Sequence, residues 1–225
     1  MAEQKHTNDP LNVDEALSTS EAFLFKYKNV IIGVVAAIVV IVLGAFCYKH
    51  FISEPNEVKA QEALFKGQEY FANEDYDIAL KGDSLEYAGF LKIADEYSST
   101  DAGNLANAYA GLCYAQQGNA EEALKYLDKF SADDKMVAPA ILGTMGNCYA
   151  QLGQLDKAVA TLLKAADKAN SQVLSPIYLL QAGQILEKQN KNAEAVEAYT
   201  KIKNKYGNSM QARDIDKYID RASIK

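Results

Sequence analysis

A self-similarity about 35 residues long constrains this chain more than any other feature. Gly111-Leu112-Cys113-Tyr114 recurs as Gly146-Asn147-Cys148-Tyr149, a shift of 35. Twelve residues past each glycine stands an alanine, Ala123 and Ala158, and four further on a leucine, Leu127 and Leu162. Gly118 and Gly153 fall seven past the first glycines. A third copy starts at Gly183, with Leu186, Asn190, Ala195 and Tyr199 in the same slots, and an earlier one has Gly67, Tyr70 and Ala79. A period of this length describes an array: each unit is one supersecondary element that buries its apolar face only against its neighbours.

Each slot has a physical reason in a pair of antiparallel helices. A small residue at Gly111, Gly146 and Gly183 lets the first helix approach the second, and Ala123, Ala158 and Ala195 are the reciprocal small residues. Tyr114 and Tyr149 fill the space between pairs. Gly118, Gly153 and Asn190 stand where a left-handed residue ends a helix. Pro139 and Pro176 each precede their glycine by seven residues, in the first turn, where a missing N–H costs little.

These residues resemble the tetratricopeptide repeat family, whose signature is a glycine, an aromatic three residues on, then Ala-x-x-x-large in the second helix. The resemblance covers about residues 58–207. It implies an all-α fold: a right-handed α-solenoid of about four helix pairs, closed by a capping helix at Ile215, Ile219 and Ala222 that shields the last pair. The signature Trp and the late Pro of the second helix are absent. The first copy is irregular, because 44 residues separate Gly67 from Gly111. After Ala79-Leu80, glycines and polar residues predict a loop over 81–88. Phe90, Ile93, Ala94 and Tyr97 then resume helical spacing from about Gly89.

Upstream lies a second signal. Asn29 to Tyr48 contains no charged residue and is long enough to cross the hydrocarbon layer as a helix. A cleaved signal peptide has a shorter apolar core and does not follow a 28-residue hydrophilic tail. A lipoprotein site at Cys47 expects a small residue where Phe46 stands. The expected organisation is a cytoplasmic tail (1–28), a transmembrane helix (29–48), a juxtamembrane linker (49–57) and the repeat domain (58–222). Lys26 and Lys28 before the span, against Lys49, Glu54 and Glu57 after it, place the N-terminus in the cytoplasm by the positive-inside bias. Val13, Ala16, Leu17, Phe23 and Leu24 in the tail fall near helical spacing, which fits a helix along the membrane surface or a frayed tail.

A formal charge of −7 disfavours nucleic-acid binding, which asks for a basic face. The two histidines, His6 and His50, both precede the repeats, so the domain has no histidine for catalysis or metal binding. Cys113 and Cys148 occupy one slot of successive repeats, too far apart to bridge, and read as buried and inert. No phosphate loop or calcium loop occurs. The chain reads as a non-enzyme with no cofactor and no metal.

The resemblance further implies a peptide groove lined by the first helices, here about 103–117, 139–152 and 176–188. These carry one basic residue, Lys188, and offer Asn104, Asn107, Tyr109, Gln116, Asn147, Gln151, Tyr178, Gln181 and Gln184. Such a surface suits backbone and apolar contacts rather than an acidic terminus; the same residues also suit packing between repeats. Residues 54–134 hold 17 acids and 6 bases, and 135–225 hold 8 acids and 13 bases. The distal half is therefore basic, concentrated at Lys201, Lys203 and Lys205, as expected for steering a partner or for drift in solvated faces.

Tail, span and repeats together resemble the membrane-anchored periplasmic repeat proteins related to the ancillary subunit of the bacterial Sec translocon. That likeness implies a single-pass inner-membrane protein with periplasmic repeats that bind secretory polypeptides, chaperones or translocon components. The alternatives are a scaffold for a fixed envelope complex and, with topology reversed, a cytoplasm-facing adaptor.

Overall fold

The computed structural model describes residues 13–83 and 85–224, with side chains from 26 onward except 52. The chain divides into two units, 1–54 and 55–225. All regular structure among the described residues is helical.

The first unit is helix α1 (Val13–Tyr48) followed by a π turn, Lys49–Ser53. It holds the one described helix long and apolar enough to cross a membrane, with a mean hydropathy of 3.2 over its best window and none of that window buried. α1 begins at Val13, so the spacing noted from Val13 to Leu24 falls on the same helix as the apolar run, although the side chains of 13–25 and the whole of 1–12 lie outside the described residues.

The second unit is a stack of helix pairs. α2 (Glu54–Ala72) pairs with a split partner, α3 (Tyr76–Lys81) and α4 (Phe90–Glu96). The later pairs are α5 (Asp101–Gln116) with α6 (Ala120–Leu127), α7 (Val137–Gln151) with α8 (Leu155–Ala169), and α9 (Leu174–Lys188) with α10 (Asn192–Lys205). A 3₁₀ turn, Gln211–Asp214, leads into the capping helix α11 (Ile215–Ile224), which buries Ile215 and Ala222 against the last pair. The stack is an α-solenoid, and its core runs as three adjoining apolar clusters along it.

The close-approach slots behave as the repeat demands. A Cβ on Gly111 would lie 2.5 Å from Leu127, and one on Gly146 would lie 2.7 Å from Leu162. At Gly183 it would strike the ring of Tyr199. In all three the large residue stands 16 positions after the glycine. In the first copy the Tyr87 hydroxyl and the Phe90 ring stand over Gly67, and Phe90 is 23 positions on, so seven of the extra residues fall between the glycine and that ring.

Every first helix ends the same way. The N–H groups of Asp75, Asn119, Gln154 and Lys191 donate to the carbonyls of Tyr70, Tyr114, Tyr149 and Leu186, each at 2.9 Å. The residue before each donor is left-handed: Glu74 (φ 65°), Gly118 (76°), Gly153 (72°) and Asn190 (59°). This is the 6→1 closure of a helix C-terminus, four times over.

The expected interruption of the first copy is a loop from Gly82 to Gly89, both at positive φ. Asp83 organises it. One carboxylate oxygen accepts from the N–H groups of Leu85, Glu86 and Tyr87 at 3.0, 2.7 and 2.8 Å, and the other accepts from the Tyr70 hydroxyl at 2.9 Å. Tyr87 in turn donates to the Ala79 carbonyl at 2.7 Å and buries its ring beside Tyr70 and Phe90. The described residues of the insertion are thus tied back to the helices by hydrogen bonds.

Candidate protein-binding groove

The nine side chains expected along the groove fall into three groups. Five are engaged within the solenoid. Asn104 exchanges two hydrogen bonds with the backbone of Ser131, donating at 2.7 Å and accepting at 2.9 Å. Asn107 is buried and donates to the Gly103 carbonyl one turn back. Tyr109 stacks on Phe90 at 5.0 Å and meets Phe71 edge-on. Gln151 donates to the Gly118 carbonyl at 2.8 Å, tying one repeat's turn to the next repeat's first helix. Tyr178 is buried with its ring over Gly143. Gln116 is exposed at the end of α5.

The remaining three, Asn147, Gln181 and Gln184, come together. They line a cleft of about 540 Å³ with Ile185, Glu187, Lys188 and Arg221. The spacing explains the convergence: Gln181, Gln184 and Lys188 follow one another by three and four residues along α9, so they share a face. Asn147 reaches the cleft from α7 and Arg221 from α11. The Gln181 Oε1 is buried and has no hydrogen-bond partner among the described residues. What the cleft presents to solvent is therefore the exposed amides of Asn147 and Gln184.

Its wall is electrostatically fixed. Arg221 grips the Glu187 carboxylate with two hydrogen bonds, Nη2 to Oε1 at 2.6 Å and Nε to Oε2 at 2.9 Å, and the Tyr199 hydroxyl donates to Oε1 at 2.7 Å. The Glu187 side chain is only 9% exposed, so this pair is screened less than a surface one. Burial, then the bond to Glu187, push the Tyr199 phenol well above its ordinary pKa.

Arg221 was not foreseen from the sequence, because the capping helix was read only as a cover. A signal for it existed. Acid-to-base pairs recur one repeat apart: Asp133–Lys168 at 3.0 Å, Asp156–Lys191 at 2.6 Å, Asp167–Lys201 at 2.5 Å and Glu187–Arg221 at 2.6 Å, with separations of 34 or 35. Of these pairs only Asp133–Lys168 joins the acidic half to the basic half; the other three cancel within the distal half. Lys203 likewise pairs with Asp216 at 2.8 Å, leaving Lys205 over the ring of Tyr206.

The two cysteines of the repeats are free and buried, and burial pushes the Cys113 thiol up to about 12 and raises that of Cys148. Neither is poised as a nucleophile at neutral pH. No group of three or more metal-ligating side chains occurs among the described residues.

Stacked helix pairs with a polar cleft along the first helices define a class of protein-interaction module. Comparison with family models agrees: residues 114–175 and residues 178–209 each match a tetratricopeptide repeat model. No curated protein matches the chain.

Proposed function

We propose that the protein is a membrane-anchored interaction module whose repeats face the periplasm of a bacterial inner membrane and bind polypeptide clients or chaperones near the secretion machinery. The observation that carries the binding reading is the amide-lined cleft of α7, α9 and α11, with the Asn147 and Gln184 amides exposed in it. A side-chain amide offers one acceptor and two donors, the same kinds of group a peptide backbone offers. A segment laid in the cleft pairs with the exposed amides of Asn147 and Gln184 without being asked for a particular sequence. Because Arg221 is already gripped by Glu187, an acidic terminus is not required. The apolar run of α1 supports the anchor, and Lys26 and Lys28 support the orientation.

A photo-crosslinking residue at exposed Gln184 of the full chain tests this in cells. Many secretory polypeptides, each captured at low stoichiometry, support the client reading. One stoichiometric envelope protein replaces it with the scaffold, and capture of cytoplasmic proteins alone reverses the topology.

A further inference from the structure

The second helices of the repeats differ in length, and the difference leaves a hole. α8 and α10 have 15 and 14 residues, whereas α6 has eight. α6 stops at Leu127, and the chain leaves through Phe130 and Ser131 toward Asp134, whose carboxylate accepts from the N–H groups of Met136, Val137 and Ala138 at the start of α7. Asn104 fixes the departing strand at Ser131.

The following repeat shows what normally fills this space. Leu142 and Met145 stand four and one residues before Gly146; Leu179 and Ala182 stand four and one before Gly183. Leu179 and Ala182 are fully buried in a cluster with Ala165 and Ala166 from the last turns of α8. The counterparts of Ala165 and Ala166, three and four residues past the slot leucine, are Phe130 and Ser131, which are not helical. Leu142 and Met145 accordingly remain half-exposed. They help to line a pocket of about 250 Å³ floored by Leu127, Phe130 and Ile141. None of the nine expected groove residues lines it.

Its rim is charged. Lys168 is engaged by Asp133 at 3.0 Å and by the Ala132 carbonyl at 3.1 Å. Lys164, exposed on the same wall, has no ion-pair partner among the described residues, and Asp128 stands at the rim where α6 ends. We propose that this pocket docks a polypeptide segment presenting one large apolar side chain beside an acidic residue, which supplies the cover that the missing turns of α6 do not. The cover seen in the next repeat sets the apolar half of that specification, and the unspent Lys164 sets the acidic half. The volume is below that of an ordinary small-molecule site and suits a side-chain anchor. The site is separate from the amide cleft and does not depend on it.

The test uses the full chain in detergent and a short fluorescein-labelled alanine–glutamine peptide carrying one Leu-Glu pair, followed by anisotropy. Replacing the peptide's leucine by serine is expected to weaken binding about tenfold, the scale of one buried aliphatic side chain. Lys164→Glu is expected to weaken it about threefold, as for a rim charge. Ala132→Phe, which plugs the mouth, is expected to abolish the leucine preference, and Gln184→Ala to leave it intact. Lys164→Glu lies at an exposed position, so the readout survives even if Ala132→Phe does not fold. Equal binding of the leucine and serine peptides overturns the proposal. So does loss of binding on Gln184→Ala alone, which places the peptide in the cleft. Self-association of the chain that Lys164→Glu and Ala132→Phe both abolish, without peptide binding, makes this face an interface between copies and also overturns it.

Discussion

Asn104 and Ser131, 27 residues apart, hold each other by two reciprocal hydrogen bonds, the side-chain amide pairing with the backbone as a second strand would. The pair holds the chain where it leaves α6, so Asn104, one of the residues expected along the groove, is also a clamp. Asn104→Ala is expected to destabilise the domain by about 1 kcal/mol, because Ser131 is exposed and water replaces the lost partners. Asn104→Asp keeps the acceptor but loses the donor, and is expected to fall between wild type and Ala. Urea denaturation followed by circular dichroism checks both; an unchanged midpoint in Asn104→Ala removes the clamp.

Glu74 occupies the left-handed slot that Gly118, Gly153 and Asn190 fill in the other copies. A residue with a Cβ is disfavoured there by roughly 1–2 kcal/mol, while glycine gives back part of that through the entropy it loses on folding. Glu74→Gly is expected to raise stability by about 0.5–1 kcal/mol, measured as an increase in the thermal midpoint. Gly118→Glu, the reverse change at the matching slot, is expected to lower it.

What could be read ahead of the structure was whatever repeats. The glycine slots and the left-handed helix ends at Gly118, Gly153 and Asn190 follow from spacing because each is a backbone or volume demand that recurs; the interruption after Leu80 shows as a departure from that spacing, and the capping helix as apolar residues at helical spacing beyond the last copy. Glu74 escaped notice since its residue type conceals the slot, although its position seven past Gly67 declares it. The clamp of Asn104 and the loop bonds of Asp83 were not legible, since each depends on one irregular segment with no second copy for comparison. The length of α6 was hidden for the same reason. Of the groove, the cluster on α9 was readable by helical spacing, whereas Arg221 entered through a contact 34 residues away.

The loop from Gly82 to Gly89 should be sensitive to acid in one direction. Backbone N–H groups of Tyr87, Glu86 and Leu85, with the Tyr70 hydroxyl, hold the Asp83 carboxyl well below the usual carboxylate range. A depressed folded pKa gives stability that is present above the unfolded value, about 3.9 for Asp, and lost as pH falls toward the folded one. Loop protection is therefore expected to be constant from neutral pH down to about 4 and to decline below it. Hydrogen exchange at the Leu85, Glu86 and Tyr87 amides reports it directly. Asp83→Asn should show faster exchange at neutral pH and a flatter acid profile; an unchanged neutral rate would mean that the carboxylate does not hold the loop.

Orientation rests on a narrow charge difference, and the structure supplies a better reporter for it than sequence position alone. Met210, in the segment between α10 and the capping helix, is 76% exposed, whereas its neighbour Ser209 is buried. Cys113 and Cys148 are buried, so replacing Cys47 by Ser leaves Met210→Cys as the accessible thiol among the described residues. If the proposed orientation holds, a membrane-impermeant maleimide labels Met210→Cys in intact spheroplasts of the chain with Lys26 and Lys28 unchanged. Adding Lys26→Glu and Lys28→Glu leaves Lys49 as the basic residue nearest the span, and labelling before lysis should then fall as part of the population inverts. Protection of Met210→Cys until lysis in the otherwise unchanged chain would put the repeats in the cytoplasm. The amide cleft would then belong to an adaptor working on that side, with its geometry unaltered and its clients replaced.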